Sequence, residues 1–273
     1  MKLLNGSELA GYIKERQAKA VRDLRQAHNI IPKLAIIQCK DDPVINTYVR
    51  LKKKYGADIL VEVEVHFVDQ NQIAGLLHKL NADKTVHGII VQLPLTDPSQ
   101  TDEIVDLVQG SKDVDALGKD AKFDPATPLA IMWLLSGYNV ELNGQHILLI
   151  GRGKLVGAPL EKILKSSGLD VEVIDREAKD LSQHTKKADI IITATGSPAI
   201  LYSDNIKFGA VVVDAGVASE SGKTVGDLAD DVYERQDLTI TPKKGGVGPL
   251  TVCALFENTI IAARRAAESQ QHG

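Results

Sequence analysis

The sequence predicts an α/β protein of two domains with mostly parallel sheets, and three observations lead there. Short apolar runs alternate with segments of helical period through both halves, the pattern of βα units that build parallel sheets. A glycine-rich turn, Gly151-Arg152-Gly153-Lys154-Leu155-Val156-Gly157, stands between an apolar run and a helical one. A chain of 273 residues also exceeds the usual size of a single hydrophobic core.

Each element has its own local signal. Ser7 can cap a helix in which Leu9, Ile13, Ala20 and Leu24 recur at helical spacing, and Pro32 then precedes the buried-strand run Leu34-Ala35-Ile36-Ile37. Pro43 opens a second helix running to Tyr55, after which Val61, Val63, Val65 and Phe67 alternate with polar residues at strand period. Ile73, Leu76, Leu77 and Leu80 form a helical face, and Gly88 to Pro94 reads as a third strand ended by proline. A helix near Ile104 to Val108 leads into Ser111-Lys112-Asp113-Val114-Asp115 and a polar stretch to Asp124 that marks the domain junction.

The second half opens with a helix from Pro128 to Ser136, and the strand His146 to Ile150 runs straight into the glycine turn and a helix through Leu164. Further strands are expected at Val171–Ile174, Asp189–Thr195, Ala210–Asp214 and Leu238–Thr241. The resulting partition is 1–120 for the first domain and 121–250 for a Rossmann-like second domain, with the amphipathic helix from Thr251 returning to the first.

Composition narrows the function classes. Hydrophobic residues make up 44% and charged residues 25%, and the formal net charge is -4 with only short basic runs, so neither disorder nor a nucleic-acid surface is expected. No stretch approaches the roughly 20 apolar residues of a membrane span, and the first residues reach no signal-peptide apolar core, so the expected location is the cytoplasm. Cys39 and Cys253 lack CxxC spacing and lie in apolar segments where thiols usually pack, and no metal site is expected.

Several residues have the chemistry of a site, each with an ordinary structural alternative. At the glycine turn, Gly151, Gly153 and Gly157 would let the backbone approach a pyrophosphate at a helix N-terminus. The spacing GxGxxxG is a weak signal without the flanking strand and helix. Asp175 closes the next strand 24 residues after Gly151, where an acid holds a ribose hydroxyl or merely caps a helix. Tyr48 and Lys52 are four apart and share a helix face. A lysine held away from bulk water loses part of its preference for charge and can exchange protons near neutral pH, although a Lys-Lys-Lys run is more often a solvated face. Gln92 ends an apolar strand, where its amide needs partners. Asp113 and Asp115 flank Val114, so an extended backbone would put both carboxylates on one side.

Taken together these segments resemble the bifunctional methylenetetrahydrofolate dehydrogenase/methenyltetrahydrofolate cyclohydrolase family along nearly the whole chain. The family's YVxxKxK stands at Tyr48 to Lys54, its VHGxxVQLPL at Val86 to Leu95 and its KDVD at Lys112 to Asp115. Its glycine turn runs from Gly151 to Pro159, its GGVGPxT from Gly245 to Thr251, and its NT is Asn258-Thr259. The resemblance implies interconversion of methylene- and methenyl-tetrahydrofolate by hydride transfer to NADP, then hydrolysis to formyl-tetrahydrofolate, the one-carbon donor of purine biosynthesis. It implies Lys52 as general base and acid, Gln92 as the residue that orients it, Tyr48 against the folate rings and Asp115 on the pterin edge. Gly248, Pro249 and Leu250 would line the folate site, while Arg152, Arg176 and Val217 join the three glycines and Asp175 around the cofactor. A homodimer follows from the same analogy.

The chain departs from the family pattern at identifiable places. Gly153 replaces the turn's serine, Ala126 the cysteine of PCTP, Ala116 the glycine after KDVD, and Lys243-Lys244 the two residues before GG in TPVPGG. Ile45 stands where a serine usually precedes the tyrosine by three, and the segment from KDVD to PATP is about half the family's length. These changes gather around the cofactor and the hinge, which leaves open a monofunctional cyclohydrolase or a non-catalytic folate-binding relative. Asp175 disfavours a 2'-phosphate while Arg152 and Arg176 favour one, so NAD use beside NADP is expected.

Overall fold

The computed structural model describes residues 1–175, 178, 180–216, 218–220 and 223–271. Strand β1 (Lys2–Leu3) and helix α1 (Gly6–His28) open the chain. The side chain that caps α1 is Asn5 rather than Ser7: Asn5 Oδ1 accepts the Glu8 N–H at 3.2 Å, whereas Ser7 lies inside the helix and gives its own N–H to the Gly245 carbonyl at 2.9 Å. The residue just outside the first turn is the one whose side chain reaches back to an unpaired helix amide.

The next elements are β2 (Lys33–Gln38), α2 (Pro43–Asp58), β3 (Glu62–Phe67), α3 (Ile73–Ala82), β4 (Gly88–Val91) and α4 (Thr101–Val105). Then follow α5 (Ala126–Gly137), β5 (Ile147–Ile150), α6 (Gly157–Ser166), β6 (Val171–Ile174), α7 (Leu181–Thr185), β7 (Ile190–Thr193) and β8 (Val211–Asp214). A hairpin of β9 (Ala218–Glu220) and β10 (Lys223–Val225) precedes β11 (Thr239–Ile240) and α8 (Val247–Gln271). Among the described residues, no helix is long and apolar enough to cross a membrane.

The chain forms two compact units, Met1–Ala10 with Thr127–Thr251, and Gly11–Ala126 with the residues from Val252 onward. Relative to the 1–120/121–250 partition, the junction moves to 126/127 and the first ten residues change sides. The cause is β1, which pairs in parallel with β11 through Lys2–Thr239 and Leu3–Ile240. A two-residue strand is too short for its period to be read.

The smaller sheet has the parallel order β3-β2-β4. Central β2 is buried from Leu34 to Ile37, and its inner face packs with Ile73, Leu77, Ile89, Val91 and Leu95. Edge strand β3 exposes Glu62 and Glu64 and half-buries Val63 and Val65, but Phe67 is 61% exposed.

The larger sheet has the order β1-β11-β8-β7-β5-β6, with each adjacent pair parallel. Its strands are near-continuous aliphatic runs because helices and loops cover both faces of a parallel sheet. Leu148, Ile150, Ile191, Val212, Leu228, Val232 and Ile240 form one of its cores.

Candidate active site

In the three-stranded unit, α2 follows β2 and Gln92 follows β4, so both reach the carboxyl edge of a parallel sheet, where α/β proteins place their ligands. The start of α2 is tightly specified. Asp42 Oδ1 accepts from the Val44 and Ile45 amides at 2.9 and 3.2 Å, and buried Gln38 donates to Asn46 Oδ1 at 2.6 Å and to the Lys40 carbonyl at 2.8 Å. Ile45, in the place of the family's serine, is 4% exposed and belongs to the core.

From that anchored helix Lys52 reaches across the sheet edge, and its Nζ donates to Gln92 Oε1 at 2.7 Å. Gln92 is held in turn, with its N–H bonded to the Ile37 carbonyl at 2.8 Å and its Nε2 to the Leu93 carbonyl at 3.1 Å. Burial pushes the Lys52 ammonium below the ordinary lysine range, and the charge of Asp115 partly opposes the shift. The Asp115 carboxyl is itself raised by burial and drawn back by Lys52. Tyr48 lies one helical turn before Lys52 and is 39% exposed, which leaves its ring available to a ligand.

The two aspartates of the KDVD segment do different jobs. Ile89 donates to the Lys112 carbonyl at 2.8 Å, which lays the segment beside β4. Asp113 turns inward and accepts the amides of Ala116 at 3.0 Å, Leu117 at 3.4 Å and Gly118 at 2.8 Å. Burial pushes its carboxyl up to about 6, so Asp113 organises the loop on which Asp115 is carried. Lys112 Nζ meanwhile bonds the carbonyls of Leu80, Asn81 and Asp83 at the end of α3, at 3.0, 2.8 and 2.6 Å. Asn258 on α8 completes the support by donating to the carbonyls of Val114 and Asp124 at 2.9 and 3.0 Å. In the sequence it stands out as the first residue of the family's NT motif and as an amide in a largely apolar helix.

In the six-stranded unit, β5 feeds the glycine turn and α6. Gly151 has φ +96°, a conformation that disfavours a side chain, and donates its N–H to the Ile174 carbonyl at 2.9 Å. A Cβ on Gly157 would stand 2.0 Å from the Gly151 carbonyl oxygen, so the turn closes only with glycine there. A bare backbone at a helix N-terminus is the cradle a pyrophosphate requires, and these residues fit a dinucleotide.

Gly153 is different, because a Cβ would meet nothing within 4 Å and a serine fits. Arg152 lies against α6, where Glu161 accepts from its Nε at 2.7 Å and from Nη2 at 3.4 Å, and also holds Lys165 at 2.7 Å. Asp175 is exposed directly after β6. Arg176 and Val217 lie outside the described residues. In the first turn of α8, Gly248 is exposed and Pro249 half-buried, but Leu250 is fully buried. The Leu250 side chain thus packs in the core on the apolar stripe of the helix.

Comparison with known proteins decides the family. The model of the tetrahydrofolate dehydrogenase/cyclohydrolase catalytic domain matches residues 4–115, and that of the family's NAD(P)-binding domain matches residues 125–267. The chain belongs to the tetrahydrofolate dehydrogenase/cyclohydrolase family. Within it, the bifunctional protein FolD of Campylobacter jejuni strain RM1221 is 38% identical over 97% of this chain and 99% of its own. That of Staphylococcus epidermidis is 34% identical over 96% of each. The crystal structure of the C. jejuni bifunctional enzyme superposes with a TM-score of 0.91 at 38% identity, covering 97% of this chain and 99% of that one. A Trypanosoma brucei FolD structure, complexed with NADP and an inhibitor, has a TM-score of 0.89 at 28% identity, covering 96% and 97%.

Proposed function

We propose that the chain interconverts methylene- and methenyl-tetrahydrofolate by hydride transfer to NADP, and hydrolyses the methenyl form to 10-formyl-tetrahydrofolate. The observation that carries this reading is the 2.7 Å hydrogen bond from Lys52 Nζ to Gln92 Oε1. It places an amine of reduced proton affinity at the carboxyl edge of the sheet, in a chain that matches both family models.

In the hydrolysis, water adds to the methenyl carbon. The neutral amine of Lys52 takes one proton from that water, the resulting ammonium returns it to the ring nitrogen as the bond from that nitrogen to the carbon breaks, and the remaining hydroxyl proton leaves to solvent as the formyl C=O forms. Gln92 holds one N–H of the amine, which aims the lone pair. Tyr48 packs on the folate rings, and Asp115 accepts hydrogen bonds from the pterin edge, where a carboxylate gives both affinity and orientation.

NADP, when bound, accepts the hydride from the methylene carbon. Gly151 and Gly157 would keep side chains away from its pyrophosphate, Arg152 lies beside the turn, and Asp175 would accept from the ribose. The NADP complex of the T. brucei relative supports this choice of cofactor. A cytoplasmic homodimer is proposed from the family analogy, and light scattering after size exclusion tests the assembly. The activities are tested by absorbance during incubation with each folate, with and without NADP or NAD. Turnover of both folates is expected; turnover of neither would overturn the reading.

A further inference from the structure

A buried aspartate, Asp227, and a half-buried one, Asp214, in the six-stranded unit belong to none of the groups described so far. We propose that Asp227 and Asp214 are positioning residues of the dinucleotide site, which shape the wall opposite the glycine turn. The inference rests on the cofactor reading above.

The topology supplies the place. Strand β5 lies between β7 and β6, and the chain leaves β5 for β6 on one side and returns through β7 on the other. The loops after β5 and β7 therefore flank the crevice at the switch point, where open α/β sheets bind dinucleotides. The first loop is the glycine turn and the second begins at Ala194. They are in contact, because a Cβ on Gly151 would come within 2.8 Å of the Ala194 carbonyl oxygen and 3.0 Å of Thr195 Cγ2.

The loop after β7 has its shape imposed by Asp227, which is fully buried. Its Oδ2 accepts the Thr195 amide at 2.9 Å and its Oδ1 the Ser197 amide at 3.0 Å. Asp214, at the end of β8, fixes Asp227 in turn by accepting the Asp227 amide at 3.1 and 3.0 Å and the amides of Gly216 at 2.9 Å and Leu228 at 3.3 Å. The two carboxylates interlock through a pair of glycines. A Cβ on Gly216 would meet Asp227 Oδ1 at 1.9 Å, and one on Gly226 would meet Asp214 Oδ2 at 2.0 Å. Burial, then the neighbouring Asp227 charge, pushes the Asp214 carboxyl up to about 6, so the pair is held against its own repulsion by the amides it accepts.

The experiment measures NADPH affinity of the full chain by calorimetry for wild type, Asp227→Asn, Asp227→Ala and Asp231→Asn. Asp231 is the control, because it likewise accepts an amide and a hydroxyl, from Ser203 at 3.0 and 2.7 Å, farther along the same β7–β8 connection and beyond the Ala194 and Thr195 that meet the glycine turn. An asparagine can accept only one of the two amides, so Asp227→Asn should weaken NADPH binding by about tenfold or more and Asp227→Ala further. In turnover the loss should fall on KM for NADP rather than on kcat. Asp231→Asn should bind as wild type does. Wild-type affinity in Asp227→Asn, or an equal loss in Asp231→Asn, would overturn the inference while leaving the cofactor reading in place. Wild-type protein that does not bind NADPH would overturn both.

Discussion

Lys52 and Gln92, forty positions apart, meet at 2.7 Å because α2 and the end of β4 converge on one edge of a parallel sheet. The amide oxygen can only accept, so the lysine must donate one N–H to it, and burial weakens the ammonium's hold on its remaining protons. The contact fixes the geometry of the amine, and burial lowers its proton affinity.

Replacing Lys52 by methionine keeps the bulk of the side chain and removes the proton carrier. Hydrolysis of methenyl-tetrahydrofolate should fall by about 10²–10⁴-fold, the usual range for general acid–base catalysis, while the circular dichroism spectrum is retained. Activity near wild type above the spontaneous rate would remove Lys52 from the mechanism.

Gln92→Glu would put a carboxylate where Lys52 Nζ now finds an amide at 2.7 Å. An opposite charge at that distance favours the ammonium, so the lysine pKa rises and the neutral fraction at a given pH falls. The ascending limb of the hydrolysis pH–rate profile should therefore move to higher pH, with the greatest loss of activity at neutral pH. A profile that keeps its midpoint would show that the amide does not govern the lysine.

Asp115 is expected to act on both substrate and base. Asp115→Ala should weaken folate binding by about 2 kcal/mol or more, because pterin donors would be left without a partner. It also removes the charge that opposes burial at Lys52, so the Lys52 pKa should fall further. Calorimetry and the pH–rate profile read the two effects separately, and unchanged folate affinity would place Asp115 outside the site.

Cofactor preference should respond to two positions. Asp175→Ser removes a carboxylate that repels a 2'-phosphate and supplies a hydroxyl, and Gly153→Ser adds a donor where a Cβ meets nothing within 4 Å. Each should raise the ratio of kcat/KM for NADP over NAD. A ratio that neither change moves would mean that the ribose lies elsewhere.

Ala116 has φ +57°, in the left-handed region, in the loop that Asp113 organises. That conformation costs an alanine about 1–2 kcal/mol, and glycine gives back part of the gain through its freer unfolded chain. Ala116→Gly should therefore stabilise by up to about 1 kcal/mol, read as a later urea midpoint. An earlier midpoint would show that the loop does not carry that strain.

The elements were legible because they are local. The strand Leu34 to Ile37, the helix opened by Pro43 and the strand before Gly151 each announce themselves within a few residues, through period, proline or glycine. The face shared by Tyr48 and Lys52 follows from helical spacing alone, and the long motifs in fixed order point to the family.

What required the tertiary structure was every relationship set by pairing distant segments. Strand β1 is too short to show a period and exists because β11 receives it. Extended-chain geometry pairs Asp113 with Asp115 but does not show that the backbone turns after them and offers Asp113 three amides. The same holds for Glu161 on Arg152 and for Asp227 on the loop after β7. The sequence determined which chemical groups this protein carries and which helix or strand bears most of them. Which carboxylate meets a lysine, an arginine or a row of amides depends on long-range strand order and burial, and only the folded chain decides it.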